Sequence, residues 1–301
     1  MTIAIQGLGK MGMQIAEKLL SDNHRVIAYD LNLDFMAEAE SLGATTTGNK
    51  RELIDSFGPD RVIIWMMIPS EFVKNEVEDW LKILPEKSLI IDGGNSNFNN
   101  TIENSKMIEG INCSMLDIGT SGGVHGLKNG FSMMVGGNNI DDYSFIEPIL
   151  SSLAKPEGDH KYFGPAGSGH YVKMIHNAIE YGMMQSLAEG FNLLKNGPIQ
   201  GIDLAKAATV WQHHSVITSW LNELCVDIFT ENPELEGIDG FVAESGEARW
   251  TLQMAKDLGI DTPSIEAAFN VRLESQQGKV SFTTKLLAAM RNSFGGHKIN
   301  K

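Results

Sequence analysis

The chain has 301 residues, 42% of them hydrophobic, which is enough apolar material for a folded core without disulfides or a structural metal. Its formal net charge is -14, so the chain lacks the excess of basic residues that is typical of nucleic-acid-binding proteins. The same negative charge disfavours contact with anionic membranes. Two cysteines lie outside any metal-binding pattern, and no signal peptide or long apolar run is seen, so we predict a cytoplasmic protein with reduced thiols.

The N-terminal half alternates between strand and helix patterns. Thr2–Gln6 is a short apolar strand, followed by a glycine-rich turn and an amphipathic helix, and a second strand, Arg25–Tyr29, ends at Asp30. Further strands are predicted at 61–66, 88–91, 114–118 and 131–135, and helices at 34–42 and 71–84. This alternation predicts an α/β fold with a doubly wound parallel sheet.

The pattern changes near residue 165, after which little strand signal remains. Helices are predicted at 171–194, 201–211, 215–229, 241–258, 263–275 and 280–294. We therefore expect two domains: residues 1–165, with the parallel sheet, and an all-α domain of residues 166–301 that serves substrate binding and oligomerisation.

The turn after the first strand carries the pattern of a dinucleotide-binding site. Its residues are Gly7, Leu8, Gly9, Lys10, Met11 and Gly12, and Asp30 lies 23 residues after the first glycine. Glycines that follow a strand and open a helix let a pyrophosphate approach the backbone, and an acid at the next strand end binds the ribose hydroxyls. No cation follows Asp30, which favours NAD over NADP as the cofactor, with NADP as the alternative. For the glycine motif itself, the alternative is a tight strand–helix turn that binds no ligand.

Two further segments are assigned to the cofactor site of this Rossmann domain. Met67, Ile68 and Pro69 follow the strand at 61–66, and Asn95 follows the strand at 88–91. We predict that all four line the bound dinucleotide.

A stripe of polar residues marks the long helix predicted after residue 167. Lys173, His176, Asn177 and Glu180 are spaced so that they share one helix face. An amine, an imidazole, an amide and a carboxylate form a plausible acid–base set, whereas a solvated face with Lys–Glu pairs is the alternative. Apolar residues between them favour a helix packed within the protein.

This stripe resembles the signature of the 6-phosphogluconate dehydrogenases, in which Lys-x-x-His-Asn-x-x-Glu-Tyr is met here by residues 173–181. The resemblance extends over the whole chain, through GLGKMG at 7–12, DGGNS at 92–96, TSGG at 120–123 and RNSFGGH at 291–297. The length resembles the short bacterial form, which lacks much of the C-terminal region of the long form.

The resemblance implies an oxidative decarboxylation without a metal. Lys173, as a neutral amine, would take the proton of the C3 hydroxyl while C3 gives hydride to NAD. Carbon dioxide would then leave the 3-keto acid, and Glu180 would protonate C1 of the enediol to give ribulose 5-phosphate. Such tuning of a lysine and a carboxylic acid is within the reach of a closed site.

The resemblance also assigns residues that bind a phosphorylated sugar acid. Arg249 stands where the long form usually has lysine, Arg272 matches a phosphate-binding arginine, and Arg291 and His297 match residues that reach the neighbouring subunit's site. A homo-oligomer, either a dimer or a tetramer, would follow. The remaining substrate-binding residues are Asn95, Ser121, Gly122, Gly123, His176, Asn177 and Tyr181.

Two other functions are considered. One is another β-hydroxyacid dehydrogenase, such as one acting on 3-hydroxyisobutyrate, which would share the glycine motif but not the combination of His176, Glu180 and Tyr181. The other is a dinucleotide sensor without catalysis, which the intact Lys173 and Glu180 disfavour. The residues leave open whether the enzyme serves the pentose phosphate pathway or gluconate utilisation.

Overall fold

The computed structural model describes residues 1–297. The chain divides into two compact units, Met1–Met174 and Ile175–Lys301. Each unit contains hydrophobic clusters of its own.

The first unit is built on eight strands and the helices between them. The strands are β1 (Thr2–Gln6), β2 (Arg25–Tyr29), β3 (Thr45–Thr46), β4 (Ile63–Met66), β5 (Leu89–Asp92), β6 (Ser114–Ser121), β7 (Ser132–Gly137) and β8 (His160–Tyr162). The helices are α1 (Lys10–Ser21), α2 (Leu33–Ser41), α3 (Lys50–Asp55), α4 (Ser70–Trp80), α5 (Phe98–Glu109), α6 (Gly126–Asn129) and α7 (Ile140–Ala154).

The strands form one sheet in the order β3-β2-β1-β4-β5-β6-β7-β8. Neighbouring strands are parallel except for β6 and β7, which pair antiparallel. The connection between these two strands is about ten residues long, which is too short for the helical crossover that a parallel pair requires. The doubly wound parallel sheet is thus confirmed, with this one reversal.

Both faces of the sheet are buried, which explains the continuous apolar runs in its central strands. Along β4, Ile63 and Trp65 belong to one hydrophobic cluster, whereas Ile64 and Met66 belong to another. Successive side chains of a strand point to opposite faces, so the two clusters lie on the two sides of the sheet.

The described residues of the second unit form helices joined by turns and loops, with no strand, which confirms the expected all-α region. Helix α8 (Ser168–Asn196) begins in the first unit and continues into the second. It is followed by α9 (Leu204–Gln212), α10 (Trp220–Glu231), α11 (Glu247–Leu258), α12 (Pro263–Gln276) and α13 (Phe282–Gly295). Across residues 1–297, no helix has the length and apolarity needed to span a membrane.

Candidate functional site

The turn between β1 and α1 requires glycine at two positions. Gly7 has a φ of +91°, and a Cβ there would lie 2.5 Å from the carbonyl oxygen of Met67. A Cβ on Gly12 would overlap the carbonyl oxygen of Gly7. A Cβ on Gly9 would meet no atom within 4 Å, so the backbone before α1 leaves room for a phosphate at the N-terminus of the helix.

The other residues of the turn divide between core and surface. Leu8 is buried, Met11 packs partly buried against the core, and Lys10 is exposed at the first position of α1. Apolar side chains therefore anchor the turn to the core, while its exposed residues stay accessible to solvent.

Asp30 follows β2 and is hydrogen-bonded to this turn. Its Oδ2 accepts from the Leu8 N–H at 2.6 Å, and its Oδ1 accepts from the Asn32 N–H at 2.7 Å. A carboxylate is thus held beside the turn, where the ribose hydroxyls of a dinucleotide are bound in this type of fold. The next side chain, Leu31, is 90% exposed and carries no charge.

Met67, Ile68 and Pro69 lie after β4, the neighbour of β1 in the sheet. The Met67 N–H donates to the Gln6 carbonyl at 2.7 Å, and Pro69 precedes α4 as its N-cap residue. These residues and the glycine turn therefore meet at the carboxyl ends of adjacent strands, and together with Asp30 they fit a nicotinamide dinucleotide.

The sugar-binding loops predicted from the sequence follow β5 and β6, which are adjacent strands. Asn95 is exposed after β5, and Ser121 is the last residue of β6. Gly122 and Gly123 have φ values of +133° and +53°, a conformation that favours glycine, so this loop depends on its glycines for its backbone path.

Lys173 is buried on α8 and lies directly against β6. Its exposed fraction is 7%, and a Cβ on Gly119 would overlap the Lys173 side chain. The carboxylate of Asp117, also on β6, accepts from the N–H groups of Gly167 and His170, each at 2.8 Å. These bonds satisfy donors at the start of α8 and fix the lysine next to the strand that ends in Ser121.

In the second unit, Asn177 and His176 form a hydrogen-bonded chain that ends at the carboxylate of Glu247, a residue not predicted from the sequence. Asn177 donates from Nδ2 to Oε1 of Glu247 at 2.8 Å, and its Oδ1 lies 3.0 Å from Nδ1 of His176. Glu247 is only 2% exposed. It lies 70 residues from Asn177 in the sequence, so no local spacing could have predicted the contact.

Arg272 occupies an unusual environment for a charged side chain. It is 1% exposed, its guanidinium carbon lies 3.3 Å from the centre of the Tyr181 ring, and Nη2 lies 3.5 Å from Met184 Sδ. Its Nη1 is buried without a hydrogen-bond partner among residues 1–297. Burial lowers the pKa of this guanidinium to about 10, an effect that Tyr181 opposes.

Arg291 lies in the same electrostatic neighbourhood of the same chain. Burial lowers its pKa, while Tyr181, Glu180 and Glu247 act in the opposite direction. Arg291 in turn lowers the pKa of Arg272. Two buried guanidinium groups of the same chain are thus influenced by Tyr181, and the role of Arg291 in a neighbouring subunit's site stays a prediction.

Arg249 and His297 have other contacts. Arg249 forms an ion pair with Glu244 at 2.7 Å and lies over the Phe269 ring. His297 is exposed after α13, with its ring edge-on to Phe294. These neighbours differ from the Tyr181 ring and the Met184 sulfur that surround Arg272.

No group of three or more His, Cys, Asp or Glu side chains in the described part of the chain has a geometry that could hold a metal ion. The buried thiols of Cys113 and Cys225 form no disulfide.

Two family models match the chain almost end to end. The NAD-binding domain of 6-phosphogluconate dehydrogenase matches residues 2–167, and the C-terminal domain of the same enzyme matches residues 169–281. The chain belongs to the 6-phosphogluconate dehydrogenase family. It is therefore an oxidoreductase with a nicotinamide dinucleotide-binding domain, as the motifs predicted.

Full-length relatives agree with this membership. The chain is 40% identical to the Bacillus subtilis protein YqeC, whose assignment as a 6-phosphogluconate dehydrogenase is provisional, with 100% of both chains covered. It is 35% identical to the NAD⁺-dependent decarboxylating 6-phosphogluconate dehydrogenase of Haloferax volcanii, with 99% of this chain and 98% of the relative covered.

A solved structure shows the same fold in a longer enzyme. The 6-phosphogluconate dehydrogenase of Plasmodium falciparum, which was studied with NADP⁺ and with 6-phosphogluconate, superimposes with a TM-score of 0.82 at 26% identity. The match covers 100% of this chain and 66% of the other chain.

Proposed function

We propose that this protein converts 6-phosphogluconate to ribulose 5-phosphate and carbon dioxide, with NAD as the preferred hydride acceptor and NADP as the alternative. The observation that carries the proposal is the buried guanidinium of Arg272, whose Nη1 has no partner in the part of the chain that the structure describes.

A buried cation without a full set of hydrogen bonds carries a free-energy cost, which an anionic ligand can relieve. Guanidinium groups match phosphate oxygens in geometry as well as charge. Arg291 and the hydroxyl of Tyr181, which contacts Ser245 Oγ at 3.3 Å, complete a set of phosphate-binding groups. An unphosphorylated acid such as 3-hydroxyisobutyrate would not require this set.

The proposed chemistry uses two residues of α8. Lys173, as a neutral amine, accepts the C3 hydroxyl proton as C3 is oxidised; then, protonated, it donates a hydrogen bond to the ketone oxygen. The C1–C2 bond breaks, its electrons form the enediol, and Glu180 delivers a proton to the carbon that becomes C1 of ribulose 5-phosphate. The nicotinamide, when bound, supplies the hydride acceptor for the first step.

The remaining residues bind and orient. Asn95, Ser121, Gly122 and Gly123 lie in the loops that hold the sugar acid. His176 and Asn177 bind its hydroxyls, and Tyr181, Arg272 and Arg291 bind the phosphate, with Arg249 and His297 as further contacts. We also propose a homo-oligomer, as the family resemblance implies. The NAD preference is supported by Asp30, since a carboxylate at this position binds ribose hydroxyls and repels a 2′-phosphate.

The decisive experiment measures NAD and NADP reduction by the purified protein with 6-phosphogluconate, together with carbon dioxide release. Reduction with an equal amount of carbon dioxide, and faster with NAD, is the expected result. Gluconate should be a far poorer substrate, because it leaves the arginine pair unfilled. Turnover of 3-hydroxyisobutyrate in place of 6-phosphogluconate would contradict the proposal.

A further inference from the structure

Glu247, the first residue of α11, is a buried carboxylate that the proposed reaction does not use. Oε1 accepts a hydrogen bond from Asn177, whereas Oε2 is buried and has no partner within residues 1–297. A neutral amide could accept the same bond without the cost of burying a charge. The presence of a carboxylate here therefore suggests that its strictly accepting character matters.

A carboxylate fixes the direction of every hydrogen bond that it makes. It can only accept, so Asn177 must turn its NH₂ group toward Glu247 and its Oδ1 toward the other side. That Oδ1 lies 3.0 Å from Nδ1 of His176. An amide oxygen also only accepts, so Nδ1 of a neutral His176 must carry the proton and Nε2 must carry the lone pair.

We infer that Glu247 is a positioning residue that selects the Nδ1–H tautomer of His176 through the side chain of Asn177. In this tautomer, Nε2 can accept a hydrogen bond from a hydroxyl of the sugar acid. This consequence for turnover rests on the proposed function, whereas the tautomer is a property of the protein alone.

The tautomer can be read directly from the ¹⁵N chemical shifts of the imidazole nitrogens. The protein would be labelled with ¹⁵N-histidine and measured at a pH where the ring is neutral, and His176 would be assigned among the eight histidines by the loss of its signals in His176→Gln. The expected wild-type result is a protonated Nδ1. A wild-type His176 protonated at Nε2 would overturn the inference without any variant.

Glu247→Gln tests the role of the carboxylate. Glutamine can accept from or donate to Asn177, so the Nε2–H tautomer should become populated. A double variant, Glu247→Gln with Asn177→Asp, reverses donor and acceptor: the introduced glutamine would donate to the introduced carboxylate, which can again only accept from Nδ1. The Nδ1–H tautomer should return. An unchanged tautomer in Glu247→Gln, or no recovery in the double variant, would show that Glu247 does not select it.

The matched control is Glu189→Gln. Glu189 accepts from the Gln185 amide at 2.7 Å, also on α8, so this variant removes a carboxylate–amide bond of the same kind away from His176. It should leave the tautomer unchanged. With 6-phosphogluconate, kcat/KM should fall about tenfold or more in Glu247→Gln, the loss expected for one misdirected hydrogen bond, and stay near wild type in Glu189→Gln. If wild type does not turn over 6-phosphogluconate, the proposed function fails while the tautomer result still decides the inference.

Discussion

At the scale of single residues, Arg272 combines three features that lysine would not reproduce. It stacks on the Tyr181 ring, fills buried space beside Met184 and has a donor, Nη1, with no hydrogen-bond partner among residues 1–297. A planar guanidinium can do all three at once, whereas an ammonium group is compact and more strongly hydrated.

Arg272→Lys should therefore raise the KM for 6-phosphogluconate by about ten- to a hundredfold while kcat falls less, because one bidentate phosphate contact is lost. Steady-state kinetics would measure this effect. Arg51→Lys, at an exposed position on α3, is the control and should behave like wild type. An unchanged KM in Arg272→Lys would argue against a phosphate at this position.

Lys173→Ala should reduce turnover by about two to four orders of magnitude, the usual contribution of a general base. The affinity for NAD, measured by calorimetry, should change little, since the glycine turn and Asp30 are untouched. Lys161→Ala, which removes an exposed lysine paired with Asp159, serves as the comparison. Near-normal turnover in Lys173→Ala would contradict the assignment of Lys173 as the general base.

Replacing Asp30 with alanine and Leu31 with arginine should move cofactor preference toward NADP. The change removes the carboxylate held by the Leu8 N–H and adds a cation at a side chain that is 90% exposed. The ratio of kcat/KM for the two cofactors is the measurement. If that ratio does not move, Asp30 is not the discriminating group.

Sequence patterns identify functional residues when these residues are close to one another along the chain. The glycine turn, Asp30 and the stripe on α8 are separated by fixed, short spacings, so the pattern itself carries the information. Glu247 has no such spacing, because its contact with Asn177 is formed only by tertiary packing. The same is true of the contact between Arg272 and Tyr181, whose importance only the family resemblance indicated.

At the scale of elements, the close approach of α8 to β6 constrains the position of Lys173 in the proposed site. Gly119→Ala would place a methyl group on the Lys173 side chain, so we expect a loss of about 1–3 kcal/mol in unfolding free energy, together with lower turnover. Gly182→Ala is the control, since a Cβ there meets no atom within 4 Å and alanine stabilises a helix interior by about 0.5–1 kcal/mol. Urea titration would measure both. Equal stability in the two variants would contradict the close contact.

Helices with polar buried faces are the elements that apolar periodicity does not predict. Helix α5 buries Thr101, Asn104, Ser105 and Ile108, which have helical spacing but lack an apolar stripe. Helix α7 does bury an apolar stripe of Ile146, Ile149, Leu150 and Leu153, but it contains Pro148 and also buries Asp142 and Ser152. The antiparallel direction of β7 is also not predicted by the individual strand patterns, because it follows from the length of the connection between β6 and β7.

At the scale of the whole molecule, partly buried histidines should make stability depend on pH. Burial lowers the pKa of His160, which lies 3.0 Å from the Tyr143 hydroxyl, and also lowers that of His24. The unfolded chain then binds more protons than the folded chain as the pH falls through the ordinary value of 6.5, so stability decreases there.

The expected result is a Tm that falls between about pH 7.5 and pH 5.5, with a smaller fall in His160→Gln. Thermal denaturation across this range is the measurement. His213→Gln, at an exposed position, should keep the full pH dependence. A His160→Gln curve parallel to that of wild type would exclude His160 as a source.

Under the proposed function, the lack of a partner for Arg272 Nη1 within residues 1–297 has a consequence for the lifetime of the protein in a cell. A ligand that binds only the folded state stabilises it by mass action, and the population of unfolded chains determines how fast proteases remove the protein. An enzyme whose phosphate-binding arginine is costly to keep empty would be degraded faster when its substrate is scarce. Its abundance would then follow the supply of sugar acid even at a constant rate of synthesis.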